Sequence, residues 1–331
     1  MANNAKSGRV AVRLCLMALA VLLAAMLSLC LGPVSLTPVQ LWQGLWGQGD
    51  GASILAYVRL PRTVGCLLAG AALAVSGGII QTVLANPLAA PSTIGVNSGA
   101  GLGVALCCAL APGALAAVPL AAFLGAFVGV LFILLLAEKA GASRITLVLA
   151  GVALSSMFSA GVDAVVTLYP DALIGYSDFR IGGMANLYMG KLLPAGAVIL
   201  VSILLSLLLA SEMDLLALGT DTAQSLGLRV RPVRVILLAL AAALAGAAVS
   251  FAGLLGFVGL IVPHMVRRML GGGSLRLVAG CALCGAALLT FCDLVSRLAF
   301  APFELPVGIV LSLAGGPFFL WLLFQKKGAH L

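Results

Sequence analysis

From Leu14 the chain is apolar as far as Leu31, and stretches of the same texture recur down to Phe324 with only short polar or Gly/Pro-rich breaks between them. The long runs do not alternate apolar and polar residues, which excludes the period-two pattern of a membrane β-barrel. A helix needs roughly 20 apolar residues to cross about 30 Å of hydrocarbon, and the runs supply them. The pattern predicts an all-α, polytopic membrane protein with about ten transmembrane helices.

Lys6, Arg9 and Arg13 precede the first run. It is longer than a secretory h-region of about 7 to 15 residues and lacks a small-x-small cleavage site. Leu27-Ser28-Leu29-Cys30 has Leu where a lipoprotein site needs a small residue, so an uncleaved first span over 14–31 is expected. The interval 32–58 carries Pro33, Pro38, Trp42, Trp46 and Tyr57, aromatics suited to an interface. Thr63 to Ala137 then contains no Asp, Glu, Lys or Arg. Asn86-Pro87, Pro91, Pro112-Gly113 and Pro119 divide it into spans over 63–84, 92–111 and 115–137.

After the turn Glu138 to Arg144 come spans over 145–168 and 192–211, separated by the mixed loop Tyr169 to Lys191. Glu212 to Arg234 is the one long polar interruption in the interior of the chain. The run from about Val233 to Val266 is too long for one helix and too short for two full spans. Gly253, Gly256 and Pro263 therefore predict a helix, a tight reversal and a short or broken eighth span ending at Arg267-Arg268. Spans over 277–298 and 306–325 complete the chain, closed by Lys326-Lys327.

Of 331 residues, 63% are hydrophobic and 8% charged, which a soluble core does not explain. The net charge of +8 is spread over short loops, which argues against a nucleic-acid partner. With ten spans and a cytoplasmic N-terminus, most of the 18 Lys and Arg fall inside, leaving Arg59, Arg62, Arg180, Lys191 and Arg297 outside. Both N- and C-termini are thus expected in the cytoplasm. The eight cysteines all lie in apolar segments, and Cys281-x-x-Cys284, mid-span with no second pair, reads as packing rather than metal or redox chemistry.

Gly70-Ala-Ala-Leu-Ala-Val-Ser-Gly77 matches Gly246-Ala-Ala-Val-Ser-Phe-Ala-Gly253 in residue size, and the same offset carries Pro87 onto Pro263 and Gly95 onto Gly271. An offset of five spans reverses the direction of the copies. The expectation is one permease-like domain, 1–331, with an inverted-topology repeat whose halves cover about 59–168 and 233–326. The polar stretch, about 212–231, lies between them.

Catalytic motifs are missing, and so is a P-loop, so the chain is not expected to be an enzyme or to hydrolyse nucleotide itself. Asp163, Asp293 and Glu304 fall toward helix ends rather than mid-membrane, which leaves an ion-gradient-driven secondary transporter, the alternative reading, with little support. Asp293 stands four residues before Arg297, an intrahelical ion pair, and Glu304 before Leu305-Pro306 suits a helix cap. Lone His264 reads as packing. Arg59, Arg62 and Arg297 are expected at the outer surface with few acidic partners, Asp293 excepted, as lipid-phosphate anchors or as receptors for acidic groups of a docking protein. In the polar stretch, Asp214 to Leu218 ends at Gly219, and Thr220 or Asp221 caps a second turn closed by Gly227. The resulting knob offers Leu215, Leu216, Leu218 and Leu226 to a partner's groove.

Several motifs carry a family resemblance: Arg59-Leu-Pro-Arg-Thr-Val-Gly65, Asn86-Pro-Leu-Ala-Ala-Pro91, Gly95-Val-Asn-Ser-Gly-Ala100, Gly256-Phe-Val-Gly-Leu-Ile-Val-Pro-His-Met-Val-Arg-Arg268, Asp293-Leu-Val-Ser-Arg297, Glu304-Leu-Pro-Val-Gly-Ile-Val310 and Gly316-Pro-Phe-Phe319. Together with Ala217-Leu-Gly-x-x-x-Ala-x-x-Leu-Gly-Leu228 they resemble the permease subunits of ABC importers for iron–siderophore complexes, haem and cobalamin. The resemblance implies a multi-pass inner-membrane homodimer, two ATP-binding cassette subunits that hold ATP and Mg, and a periplasmic or lipid-anchored substrate-binding protein. It implies no cofactor or metal in this chain. By the same resemblance Leu215, Ala217, Leu218, Gly219, Ala223, Leu226 and Gly227 look like the ATPase-coupling element, and Arg59, Arg62 and Arg297 like the binding-protein contacts. Spans five and ten look like the pathway lining, with Gly141-Ala142-Ser143 as the cytoplasmic gate.

Overall fold

The computed structural model describes residues 2–32, 36–49, 51–139, 144–300 and 303–327, and among these it forms helices and turns but no strand. The chain opens with α1 (Ala2–Cys30) and the short α2 (Pro38–Leu45). Helix α3 (Ala52–Ile54) then runs through a π turn, Leu55–Arg59, into α4 (Leu60–Val83). A 3-10 turn at Pro91–Ile94 leads to α5 (Val96–Leu110), α6 (Val118–Lys139), α7 (Arg144–Leu168) and α8 (Ala172–Ile181). Next come α9 (Met189–Leu208), the short α10 (Ala210–Ala217) and α11 (Thr220–Ser225), then α12 (Val230–Ala252), α13 (Val258–Leu270), α14 (Ser274–Leu298) and α15 (Val307–Lys327).

Each expected span overlies one of the longer helices. The two mixed loops also contain helix: Thr37 and Gln40 form a capping box ahead of Pro38, which starts α2, and α8 occupies the second. The eighth span is short, as expected, but Pro263 sits inside α13 and does not break it. The reversal lies earlier, where Gly253 and Phe257 take left-handed φ values of +69° and +66°. Among the described residues six helices are long and apolar enough to cross a membrane, and three shorter apolar ones accompany them. The chain is an integral membrane protein.

The centre of the bundle is α4, which packs on α14, α12 and α13. In the helix Ala52–Val83, 83% of the most apolar stretch is buried, against 17% for Leu149–Leu168 in α7. Small residues make this possible, since dispersion packing between membrane helices grows as backbones approach. Gly70 lies directly against the backbone of Gly285 in α14, and Gly77 against that of Gly259 in α13; a Cβ at either would collide with the facing carbonyl. The Ser76 hydroxyl donates to the Ala241 carbonyl of α12 at 2.7 Å.

The packing has a recurring form. Helix α4 packs on α14 as α12 packs on α6, while α5 on α6 and α6 on α7 are matched by α13 on α14 and α14 on α15. Within the octets, Gly70 meets α14 and Gly246 meets Phe123 and Ala126 of α6. The further matches do not fall on equivalent places. Pro87 lies in the turn after α4 whereas Pro263 is inside α13, and left-handed Gly95 opens α5 whereas left-handed Gly271 closes α13. The connection after α4 is longer than that after α12, so one constant offset cannot hold across both.

Candidate functional site

At one end of the bundle the C-terminus of α1, the π turn and start of α4, the last turns of α14 and the segment before α15 converge on three arginines. Arg62 reaches Asp293 through Nη2 at 3.0 Å and Nε at 3.1 Å, and Glu304 Oε2 through Nη1 at 2.6 Å. Arg297 Nε lies 3.1 Å from Asp293 Oδ2, and its Nη2 donates to Ser28 Oγ at 2.9 Å. Arg297 also donates to the Leu31 carbonyl at 3.2 Å, and Arg59 donates to the same carbonyl. Three guanidiniums thus face two carboxylates and the carbonyl end of α1, whose partial negative charge supplements the acids. Asp293 is completely buried, so removing its charge would leave buried Arg297 without a carboxylate and Arg62 with Glu304 alone, at a cost of about 3–5 kcal/mol.

This corrects the expectation of surface arginines with no acidic partner beyond Asp293. Arg59, Arg62 and Arg297 are only 3%, 8% and 2% exposed, because α14 brings Asp293 between two of them and Glu304 folds over Arg62. The Asp293–Arg297 ion pair is where its i,i+4 spacing puts it. Glu304 pairs with Arg62, a partner far away in sequence that local cap logic does not reveal, and its side chain keeps 36% exposure.

At the opposite end stand α10 and α11. Gly219, at φ +108°, turns the chain between them, and Gly227, at φ +86°, closes α11. A side chain at either would have open space around it but a strained backbone. Thr220 and Asp221 do not cap α11, whose N-cap is Gly219; Thr220 Oγ1 instead accepts from Arg234 Nη2 at 3.4 Å. Leu218 and Leu226 are exposed at 60% and 59%, Ala217 and Gly227 are exposed, and Leu215 is half-buried. Leu216 and Ala223 point inward with Met213 and anchor the knob. They are not available to a partner, contrary to expectation for Leu216, and Ala223 contributes support rather than contact surface. Asp214 Oδ1 accepts from the Ser274 backbone N–H at 2.7 Å, so the knob caps the first turn of α14.

One further constellation escaped sequence reading. Arg267, near the end of α13, donates to Gln81 Oε1 and to Thr82 Oγ1 (3.2 Å), while Gln81 Nε2 donates to the Gly259 carbonyl at 3.3 Å. These bonds fasten α13 to α4. Its signal, a Gln and a Thr in a charge-free helix, was visible but silent about the partner.

On α7, Ser156, Asp163 and Thr167 are exposed along one face of a mostly unburied helix. Gly141, Ala142 and Ser143 lie outside the described residues. Among the described residues no group of three His, Cys, Asp or Glu converges to hold a metal, and Cys281 is buried as a packing residue.

Residues 19–325 match the model of the FecCD transport family. The chain belongs to that family. This FecCD-family permease is 38% identical to the hemin transport system permease protein HmuU of Yersinia pestis, over 97% of this chain and 98% of the relative. It is 37% identical to the vitamin B12 import system permease protein BtuC of Escherichia coli, over 95% of each. A solved metal-chelate type ABC transporter in an inward-facing conformation superposes with a TM-score of 0.84 at 29% identity, covering 94% of this chain and 98% of that one.

Proposed function

We propose that this permease is the membrane subunit of an ATP-driven importer that moves an iron complex inward, with a ferric siderophore as substrate ahead of haem or cobalamin. Two copies would enclose the pathway, two ATP-binding cassette subunits holding ATP and Mg would dock on the knob, and a substrate-binding protein would dock at the arginine end. The observation that carries the reading is the placement of an exposed apolar knob and an ionic cluster with one exposed carboxylate at opposite ends of one bundle, both attached to α14. Asp214 caps its beginning, and Asp293 and Arg297 stand near its end. Closure of the ATPases would push on Leu218 and Leu226, and the rod-like α14 would carry the displacement toward the other end.

Orientation follows the positive-inside pattern: ten spans in the inner membrane, the knob and both termini in the cytoplasm, and two inverted halves. The matched packing of α4–α14 and α12–α6 supports those halves. The exposed Asp163 supports the homodimer, since a carboxylate turned to lipid is costly and a second α7 or a water-filled path would relieve it. Docking at the arginines needs one refinement. A partner's carboxylate reaches Arg62 by taking the place of Glu304, the exposed member of the cluster.

The direct test reconstitutes the permease with candidate ATPase and binding-protein partners in vesicles loaded with ATP. Uptake of ferric siderophore that needs all components is the expected outcome, and uptake driven by a proton gradient alone would overturn the reading. Titrating the binding protein with ferric siderophore, haem and cobalamin decides the substrate.

A further inference from the structure

Apart from both sites, a groove of about 250 Å³ runs between α1, α13 and α14. Its walls include Leu16, Met265, Met269, Cys284 and Ala287, and its single charged lining residue is Arg13. Leu16, Met265 and Met269 are 58%, 39% and 40% exposed, so the slot opens sideways out of the bundle, where the flexible thioethers can shape themselves to a chain.

Arg13 is exposed, one of its N–H groups is used on the Met269 carbonyl, and no described carboxylate forms an ion pair with it. Arg9, one turn earlier on the same face of α1, and Arg268, next to Met269, are also exposed. An apolar slot thus ends at the Arg13 guanidinium, with a second exposed arginine, Arg9, one turn away on α1. A neutral partner helix would fill the slot but leave those cations unanswered; a lipid with a negative headgroup answers both.

We propose that the groove holds an acyl chain of one anionic phospholipid, with its phosphate on Arg13 and Arg9. That the lipid belongs to the cytoplasmic leaflet rests on the orientation proposed above. The bound lipid would tie α1 to α13 beside the bonds of Arg267 to α4, stiffening the end of the bundle that carries the knob.

Native mass spectrometry of the purified full-length permease, titrated with phosphatidylglycerol or with phosphatidylcholine of identical acyl chains, tests this. Phosphatidylglycerol is expected to bind roughly five-fold more tightly. Arg13→Gln should erase the preference, R13K should retain it, and Ala287→Phe, which fills the slot, should weaken both lipids. Equal binding of the two lipids by the unaltered protein overturns the proposal, as does a preference that survives Arg13→Gln or an undiminished affinity in Ala287→Phe. Melting in lipid-free detergent shows which variants fold, and R13K separates charge from fold. Because uptake is not the readout, failure here leaves the transport reading standing, and failure of ATP-driven uptake leaves the lipid preference intact.

Discussion

Asp293 and Glu304 touch the same guanidinium but do different work. Asp293 is fully buried and shared by Arg62 and Arg297, so Asp293→Asn should destabilise the permease by about 3–5 kcal/mol, read as a lower melting temperature in detergent. A melting temperature equal to that of the unaltered protein would mean that the cluster does not hold α4, α14 and α1 together. Glu304 sits at the exposed edge, where an ion pair is worth about 0–1 kcal/mol, and Glu304→Gln should leave stability nearly unchanged. If a partner carboxylate displaces it, the same substitution should tighten docking of the binding protein several-fold in a pull-down titration. Unchanged or weaker docking would argue against the exchange. The i,i+4 spacing made the Asp293–Arg297 pair legible in the sequence, whereas Arg62–Asp293 and Arg62–Glu304 join residues more than 200 positions apart and no local rule reaches that far.

Among the elements, the α10–α11 knob was the most legible. Gly219 and Gly227 marked its turns because left-handed backbone favours glycine, and both adopt it. Which leucines face outward was less so, since in so short a helix a phase error of two residues, about 200°, exchanges inward Leu216 for outward Leu218. The exposed apolar side chains should carry contact with the ATPase. Leu226→Asp should uncouple ATP hydrolysis from uptake while the melting temperature and elution volume of the permease stay unchanged, and Gly219→Val, which strains the turn at φ +108°, should uncouple it with a lowered melting temperature; normal coupled uptake by both variants would count against the knob as energy input. Span boundaries were likewise readable from proline, glycine and charge. The break between α12 and α13 was placed in the right region, but Pro263 misled: the Gly259 carbonyl, which loses its helical donor to the proline, accepts from Gln81 Nε2 at 3.3 Å instead.

For the whole molecule, composition alone established membrane residence, and the motifs established the family later matched over residues 19–325. Substrate identity was not legible and has a physical reason to be absent. The proposed path for a large preassembled chelate would need width and weak polarity rather than a set of ligands, so no ligating motif would mark the substrate. The bundle places an apolar knob at the start of α14 and a buried ionic cluster near its end, an arrangement suited to passing a push through the membrane. The most direct measurement of that claim is accumulation of labelled ferric siderophore in proteoliposomes holding the permease, its ATPase and its binding protein. Accumulation that requires ATP and stops when either partner is omitted is the expected result; accumulation driven by a proton gradient without the ATPase would contradict it.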